Sequence, residues 1–323
     1  MLFPLLVSAF LPCVQSAPPK DISPGPPLGE VQVLREKDQL HITISGEPFT
    51  RVNLGGRIPF LYPLLGPGGA PLTRGFPMEP GDLESHDHPH HQSMWVAHGR
   101  VNGVDFWHDP AAKIRLAGKI RIEGSNTSKR IHLPLNWIAP DSSVVLHEER
   151  VLSFGGHARD RWIDVTCTWT APEKPVVLGD TKEGTFALRL APALRVEGKH
   201  AKGTLINSEG VQNKDAWGKR ARWVSSAGKV QGEIYTVTLF DHQENPRSPT
   251  HWHARTYGLV AANPFGLHSF AQAKKDAGNL TIAPKGSITF HHRVLLSRGA
   301  RNKDSLDRFQ RGMTAHEKPK SDD

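Results

Sequence analysis

Along most of the chain, apolar and polar residues alternate one by one. In "RWIDVTCTWT" (161–170), Ile163, Val165, Cys167 and Trp169 fall on one side and Asp164, Thr166 and Thr168 on the other. Period two marks a β-strand with one buried face. The same alternation runs through His41–Ser45, "KIRLAGKIRIEG" (113–124), Val144–Phe154, Thr185–Leu194, Glu233–Phe240 and Ser287–Ser297. Gly, Pro, Asn and Asp punctuate the gaps, as tight turns require. Helical spacing predicts two short helices, Ser269–Gly278 and Lys303–Met313, the second with Leu306, Phe309 and Met313 on one stripe.

Many strands without crossover helices predict antiparallel sheets packed face to face. About fifteen strands or more exceed an immunoglobulin-sized sandwich. The expected fold is therefore all-β: a large antiparallel two-sheet β-sandwich with a short C-terminal helix. No Pro/Gly linker interrupts the pattern, so residues 30–315 are expected to form a single domain. Residues 18–29 read as a Pro/Gly-rich linker and 316–323 as a disordered tail.

Residues 1–17 carry no charge and end in Ser16-Ala17, which predicts a signal peptide and an exported protein, periplasmic or extracellular. Cys13 would leave with it, so Cys167 becomes the only cysteine and no intramolecular disulfide can form. Cys167 itself reads as a small buried apolar residue. No later apolar run is long enough for a membrane helix. The 40 Lys and Arg against 32 Asp and Glu give a formal charge of +8, but they are interspersed, with no basic stripe and no nucleic-acid motif. Phosphate-loop, dinucleotide and CxxC patterns are absent.

Candidate chemistry concentrates in "HDHPHHQSMWVAHG" (86–99), where five residues are histidine. On an extended backbone His86, His88 and His90 share one face and His91 points the other way, with Pro89 keeping His88 extended. Such imidazoles suit acid–base work near neutral pH. Alternatively, His88 and His90 with a distant His253 could hold Zn, Cu or Fe. Directly after comes "MWVAHGRVNGVDFWHD", in which an Asn102-Gly103 turn predicts a hairpin. Trp95, Phe106 and Trp107 beside His98, Asp105, His108 and Asp109 suit a sugar site, with Phe106 better read as core. Before the histidines, the Pro- and Gly-rich loop 61–78 offers Arg74 to an anion or hydroxyl. A second cluster lies in "DHQENPRSPTHWHARTYG" (241–258), where Asp241 and His242 end a strand and His251 and His253 open the next. Glu183 begins a core strand, either as a solvated strand start or as a catalytic carboxylate. His291 and His292, inside the last strand, read as structural.

The runs "DHPHHQSMWVAHGRVNGVDFW", "KEGTFALRLAPAL", "WVSSAGKVQG", "DHQENPRSPTHWHARTYGLVAANPFG" and "HHRVLLSRG" resemble one family, the exported bacterial proteins called methane oxygenase PmoA-like. The resemblance extends from about Arg57 to Gly299. Gln92 and "LESH" depart from its pattern, where Arg-rich sequence would stand. The family name implies copper and alkane oxidation. The pattern also implies, by fold analogy, a galactose-mutarotase-like sandwich, whose members work on sugars with a histidine and a carboxylate.

The residues favour an exported carbohydrate-active enzyme using proton transfer: an epimerase, lyase or hydrolase. His90 and His91 are the expected proton shuttles, and Glu183 or Asp241 the carboxylate base. Arg74, His98, Asp105, His251 and His253 would bind hydroxyls, and Trp95 or Trp217 would stack on the ring. The expected partner is a small sugar or oligosaccharide, with no nucleic acid and no membrane span. The alternatives are the mononuclear metalloenzyme and a non-catalytic glycan-binding module.

Overall fold

The computed structural model describes residues 27–313. The expected signal peptide, most of the linker and the expected tail lie outside them. Alternating sequence becomes paired strands in two large antiparallel sheets. The first runs, in spatial order, Val31–Glu36, Gln39–Ile44, Glu47–Asn53, Phe60–Leu61, Met94–His98, Gly184–Arg189, Leu259–Asn263 and His251–Ala254. The second runs Thr204–Asn207, Trp223–Val230, Glu233–Asp241, Ser287–Arg298, Asp160–Thr170, Val144–His157, Lys129–Ile138 and Lys113–Leu116. Arg121–Gly124 also pairs with Lys129–Ile138. The stretch 113–124 is thus two strands, separated by residues 117–120. Among the described residues no helix is long and apolar enough to cross a membrane.

The second sheet keeps the alternation of its sequence. Ile163, Val165, Cys167 and Trp169 are buried while Asp164, Thr166 and Thr168 are half-buried. Between the sheets, Trp137 and Trp169 meet edge-on at 5.3 Å and continue to Phe290 at 5.2 Å and Phe106 at 5.0 Å. One buried ion pair interrupts this apolar layer. Glu148 accepts two hydrogen bonds from Arg150, at 2.6 and 2.9 Å, and a third from Trp137 Nε1 at 2.7 Å. Cys167 is buried beside this pair, and burial pushes its thiol pKa well up.

The first sheet behaves differently. Every residue of Met94–His98, Gly184–Arg189 and Leu259–Asn263 is buried. One face meets the second sheet, where Phe186 stacks on His292 at 4.8 Å. The other face, carrying Trp95, Ala97, Thr185, Ala187 and Arg189, lies under the long connections 62–93 and 99–112. Thr73 bridges Leu190 and receives a 2.7 Å hydrogen bond from Ser93, tying the first connection down. In the second, Asn102 (φ 49°) and Gly103 (φ 84°) make the expected turn, with Val101 opposite Val104.

The C-terminal helix, Lys303–Arg311, is capped by Asn302, whose side chain accepts from Ser305 N–H. Leu306 and Met313 join Trp223, Phe240 and Leu295 in a small cluster on the outer side of the second sheet. The other predicted helix shrinks to Leu267–Ala271, because Gln272 turns left-handed at φ 53° and "KKDAG" offers no apolar residue one turn on. The strand from Gly184 stops at Arg189, and Pro192–Leu194 forms a 3-10 turn.

Replacing Glu148 with Ala strands the Arg150 charge and the Trp137 donor. It should cost about 3–5 kcal/mol in urea unfolding. A Glu148→Leu/Arg150→Leu double variant should recover most of that loss. A single-variant loss below about 1 kcal/mol would refute the buried pair.

Candidate functional site

The histidine connection is organised by Arg74, which is fully buried. Its guanidinium donates to the carbonyls of Phe76, Ser85, Asp87 and His88 and to Asp87 Oδ1 at 2.6 Å. Arg189, also fully buried, donates to the same Asp87 oxygen at 2.8 Å and to His91 Nδ1 at 3.3 Å. His88 Nδ1 lies 3.0 Å from the other Asp87 oxygen. Partial burial works to raise the Asp87 carboxyl, but Arg189, His88 and Arg74 outweigh it and hold the group well below the carboxylate range. Arg74 therefore has no guanidinium edge left for a substrate, contrary to the expectation from its loop.

The histidines are not on an extended strand. His88 sits at φ 47°, and His91 N–H closes a turn onto His88 O at 3.0 Å. The carbonyls gathered by Arg74 require this bend. His86 turns away to stack on Phe76 at 4.7 Å. The other rings pack together: His90 lies 4.4 Å from His91 and 4.5 Å from His108, and His88 stacks on both His91 (4.7 Å) and Tyr257 (5.5 Å). Below them Trp95 stacks under His91 at 5.1 Å, with Trp107 against it. His91 and Trp95 are each only 1% exposed. They form the floor, so His91 is no accessible proton shuttle and Trp95 no open stacking face.

His108 forms the exposed end of this row. Asp105 Oδ2 lies 3.0 Å from His108 Nδ1, while Oδ1 accepts N–H bonds from Trp107 and His108 at 2.8 and 2.9 Å. The carboxylate is thus fixed before it orients the ring. Arg57 braces the same segment by donating to the carbonyls of Phe106, Trp107, Asp109 and Ala112. Glu183 enters from the neighbouring strand. Gly99 separates it from Asp105: a Cβ at position 99 would lie 3.0 Å from Glu183 Cβ and 3.6 Å from Asp105 Oδ1. Only glycine allows these two carboxylate-bearing segments to approach so closely. The Glu183 charge acts on both His108 and Tyr257.

The second cluster supplies the adjoining wall. His253 Nδ1 donates to Lys182 O at 2.9 Å, and His251 Nδ1 to Gly218 O at 2.8 Å. Phe270 stacks on His251 at 5.8 Å, and half-buried Trp217 lies edge-on to Phe270 at 5.4 Å and to His253 at 6.5 Å. His88 contributes to the downward push on the His253 ring, which links the two walls. Around them His90 Nε2, Trp107 Nε1, Thr185 Oγ1, Arg189 Nε and Trp217 Nε1 are buried without a partner among the described residues.

Two expected site residues lie elsewhere. His98 is 0% exposed, points between the sheets and donates to Gly179 O at 2.8 Å. On its strand it faces opposite to Trp95. Asp241 is buried at the start of the 241–250 loop, which it holds by accepting from Asn245 Nδ2 (2.7 Å) and Thr250 N–H (3.0 Å). The proposed metal set is not assembled either. His88 Nδ1 faces Asp87 and His253 Nδ1 a carbonyl, which leaves Nε2 of each ring as the atom available to a ligand. Among the described residues no three His, Cys, Asp or Glu side chains converge to hold an ion. The expected ligand set for Zn, Cu or Fe is thus not assembled among the described residues. His108 was named from sequence only as a polar neighbour of the aromatics, with no proton-handling role, and Tyr257 was not singled out. The Asp105-x-x-His108 spacing of an Asx turn was the available signal for the first; the second needed the folded hairpin.

Environment separates the histidine pKa values. Burial, then His108, His88 and Arg57, pushes His90 down to about 4. Burial takes His253 to about 3 and His91 far below its ordinary range. His108 goes up, through its hydrogen bond to Asp105 and despite partial burial. NMR titration should find His108 ionising above the ordinary value of about 6.5, and His90 still neutral at pH 5. Stability follows from the same shifts. His90 and His98 at about 4, and His253 and His292 at about 3, stay neutral while the unfolded chain takes up protons below about 6.5. Asp241, raised to about 6 by burial, works the opposite way. His91 and His251 are lowered too, and of the shifted histidines and carboxylates only Asp241 and His108 are raised, so stability should fall from pH 6.5 to 4. A flat profile in urea unfolding would contradict the buried neutral rings.

Among solved structures, galactose 1-epimerase from Lactobacillus acidophilus NCFM is 9% identical, covering 85% of this chain and 100% of that one at a TM-score of 0.39. A putative aldose 1-epimerase from Escherichia coli K12 is 13% identical over 84% of this chain and 100% of that one, with a TM-score of 0.32. The α-galactosidase from Lactobacillus brevis is 10% identical with a TM-score of 0.36; the alignment covers 84% of this chain but only 40% of that one. At such scores, inferences about chemistry rest on the site's own residues. No curated protein sequence matches. The family profile that does match carries no methane-oxygenase name. It covers residues 39–310 and is described as a family of unknown function, DUF6807, and the chain belongs to that family.

Proposed function

We propose that the chain is a sugar-active acid–base enzyme working through His108, Glu183 and His90. The observation that carries this reading is the Asp105–His108 pair at 3.0 Å, held rigid by two backbone N–H groups beside a neutral His90. Titratable groups whose surroundings push their pKa values apart are the signature of divided acid and base roles. His108, with Nδ1 committed to Asp105, presents Nε2. In its protonated form it donates to an oxygen at or near the anomeric carbon. The Glu183 carboxylate takes a proton from a hydroxyl or C–H of the same substrate. His90, kept neutral, exchanges hydrogen bonds with hydroxyls, and half-buried Trp217 offers a flat face to a sugar ring. Epimerase, lyase and hydrolase chemistry all fit this set.

A sugar panel followed by NMR tests it, reading anomeric exchange, bond cleavage and new double bonds. His108→Asn and Glu183→Gln should each lower kcat by about 10²–10⁴ with unchanged melting. Turnover should fall on the alkaline side as His108 loses its proton. Asp105→Asn removes the group that raises the His108 pKa, so this fall should move to lower pH. Unaltered turnover in both single variants would sink the assignment. Binding without turnover on every sugar would make the chain a glycan-binding module instead.

A further inference from the structure

The hairpin turn Arg255–Gly258 joins the strands His251–Ala254 and Leu259–Asn263. It is closed by Gly258 N–H to Arg255 O at 2.9 Å and Arg255 N–H to Leu259 O at 2.8 Å. Neighbouring chain pins it from outside. Val196 and Glu197 N–H both donate to Thr256 O at 3.0 Å, Leu190 N–H donates to Gly258 O at 2.8 Å, and Thr256 Oγ1 donates to Glu197 Oε2 at 2.7 Å. Gly258 sits at φ 95°, and a Cβ there would come 2.7 Å from Arg195 Cγ, so the turn needs glycine. Such bracing is more than a surface connection requires. It holds two side chains, Tyr257 and Arg255, at the rim of the site.

Arg255 is exposed, and its guanidinium lies over the Tyr257 ring, 5.5 Å from the centroid. The same ring stacks on His88. Arg74 and Arg189 share Asp87, but Arg255 forms no ion pair with any carboxylate among the described residues. A second cation stands nearby. Lys182 gives its carbonyl to His253 Nδ1 and keeps its half-exposed ammonium 3.4 Å from Glu183. Arg255 and Lys182 both act electrostatically on the His253 ring.

We infer that the site takes a sugar bearing a carboxylate, a uronic acid or its glycoside, with Arg255 binding the carboxylate and Lys182 adding charge. A guanidinium held near a ring is partly pre-oriented, and its planar fork matches a carboxylate in two parallel hydrogen bonds. Tyr257 touches both sides: Arg255 and Arg189 lie over its ring, and through the stacked His88 it adjoins the histidine row. This inference rests on the acid–base reading of the same site.

The test is calorimetric titration of the whole chain with glucuronate and galacturonate against glucose and galactose, beside the turnover assay. The uronates should bind at least about tenfold tighter, as one charge-assisted pair supplies. The preference should weaken with added salt and largely disappear in Arg255→Gln, with a smaller loss in Lys182→Gln. Equal binding of charged and neutral sugars would overturn the proposal, as would a preference that survives Arg255→Gln. Turnover of neutral sugars that Arg255→Gln leaves untouched would remove the anion reader and keep the acid–base reading. Arg255-dependent uronate binding without turnover would do the reverse. No binding of any of the four sugars would overturn both.

Discussion

Asp87 Oδ1 accepts hydrogen bonds from two buried guanidiniums at once, those of Arg74 and Arg189. Two such cations side by side would be prohibitive without a shared counter-charge. Arg74 comes from one connection, Asp87 from the turn it gathers, and Arg189 from the end of a core strand. The carboxylate therefore welds loop to sheet. Everything in the histidine row inherits its position from this point. The bend at His88, the burial of His91 on Trp95 and the approach of His90 to His108 all assume that Arg74 has collected the carbonyls around Asp87. Losing that carboxylate would release two arginines as well as one anchor.

The sheet beneath is fitted to this task. Its site face carries Ala97, Ala187 and Ala261 where an ordinary strand would place larger residues. Small side chains let the indole of Trp95 and the connection above it settle close to the backbone. The second sheet, with its aromatic layer and Glu148–Arg150 pair, stiffens the opposite side. Rigid strands below and a doubly anchored connection above hold the row of side chains within the narrow tolerance that the proposed proton transfer demands.

The architecture was legible where one face of a strand meets water and the other meets the core. "RWIDVTCTWT" and the last strand announced themselves for that reason. "MWVAH" and "LVAAN" did not, because chain covers both of their faces, and a doubly buried strand loses its alternation. The histidine cluster was legible as composition, but its conformation was not. An arginine fourteen residues upstream of His88 decides it, and no local pattern encodes such a reach. Burial was the commonest source of misreading. His91, Trp95, His98 and Asp241 are the right residue types for a site, yet each spends its polar or aromatic surface on internal contacts. His108 was visible but undervalued, since only the fold shows that its Asp105 partner is itself held.

The separately pinned turn at Arg255–Gly258 divides the site between distant parts of the chain. On the proposed reading, the groups that would move protons stand on 90–108 and 183, while the rim that would meet the substrate's far end hangs on four residues between two strands. Such a division makes recognition modular. Descendants of this gene could exchange the turn, or merely its arginine, and explore other guests while the chemistry stayed intact. Family members that keep Asp105, His108 and Glu183 but differ at 255–257 would then be siblings in reaction and strangers in diet.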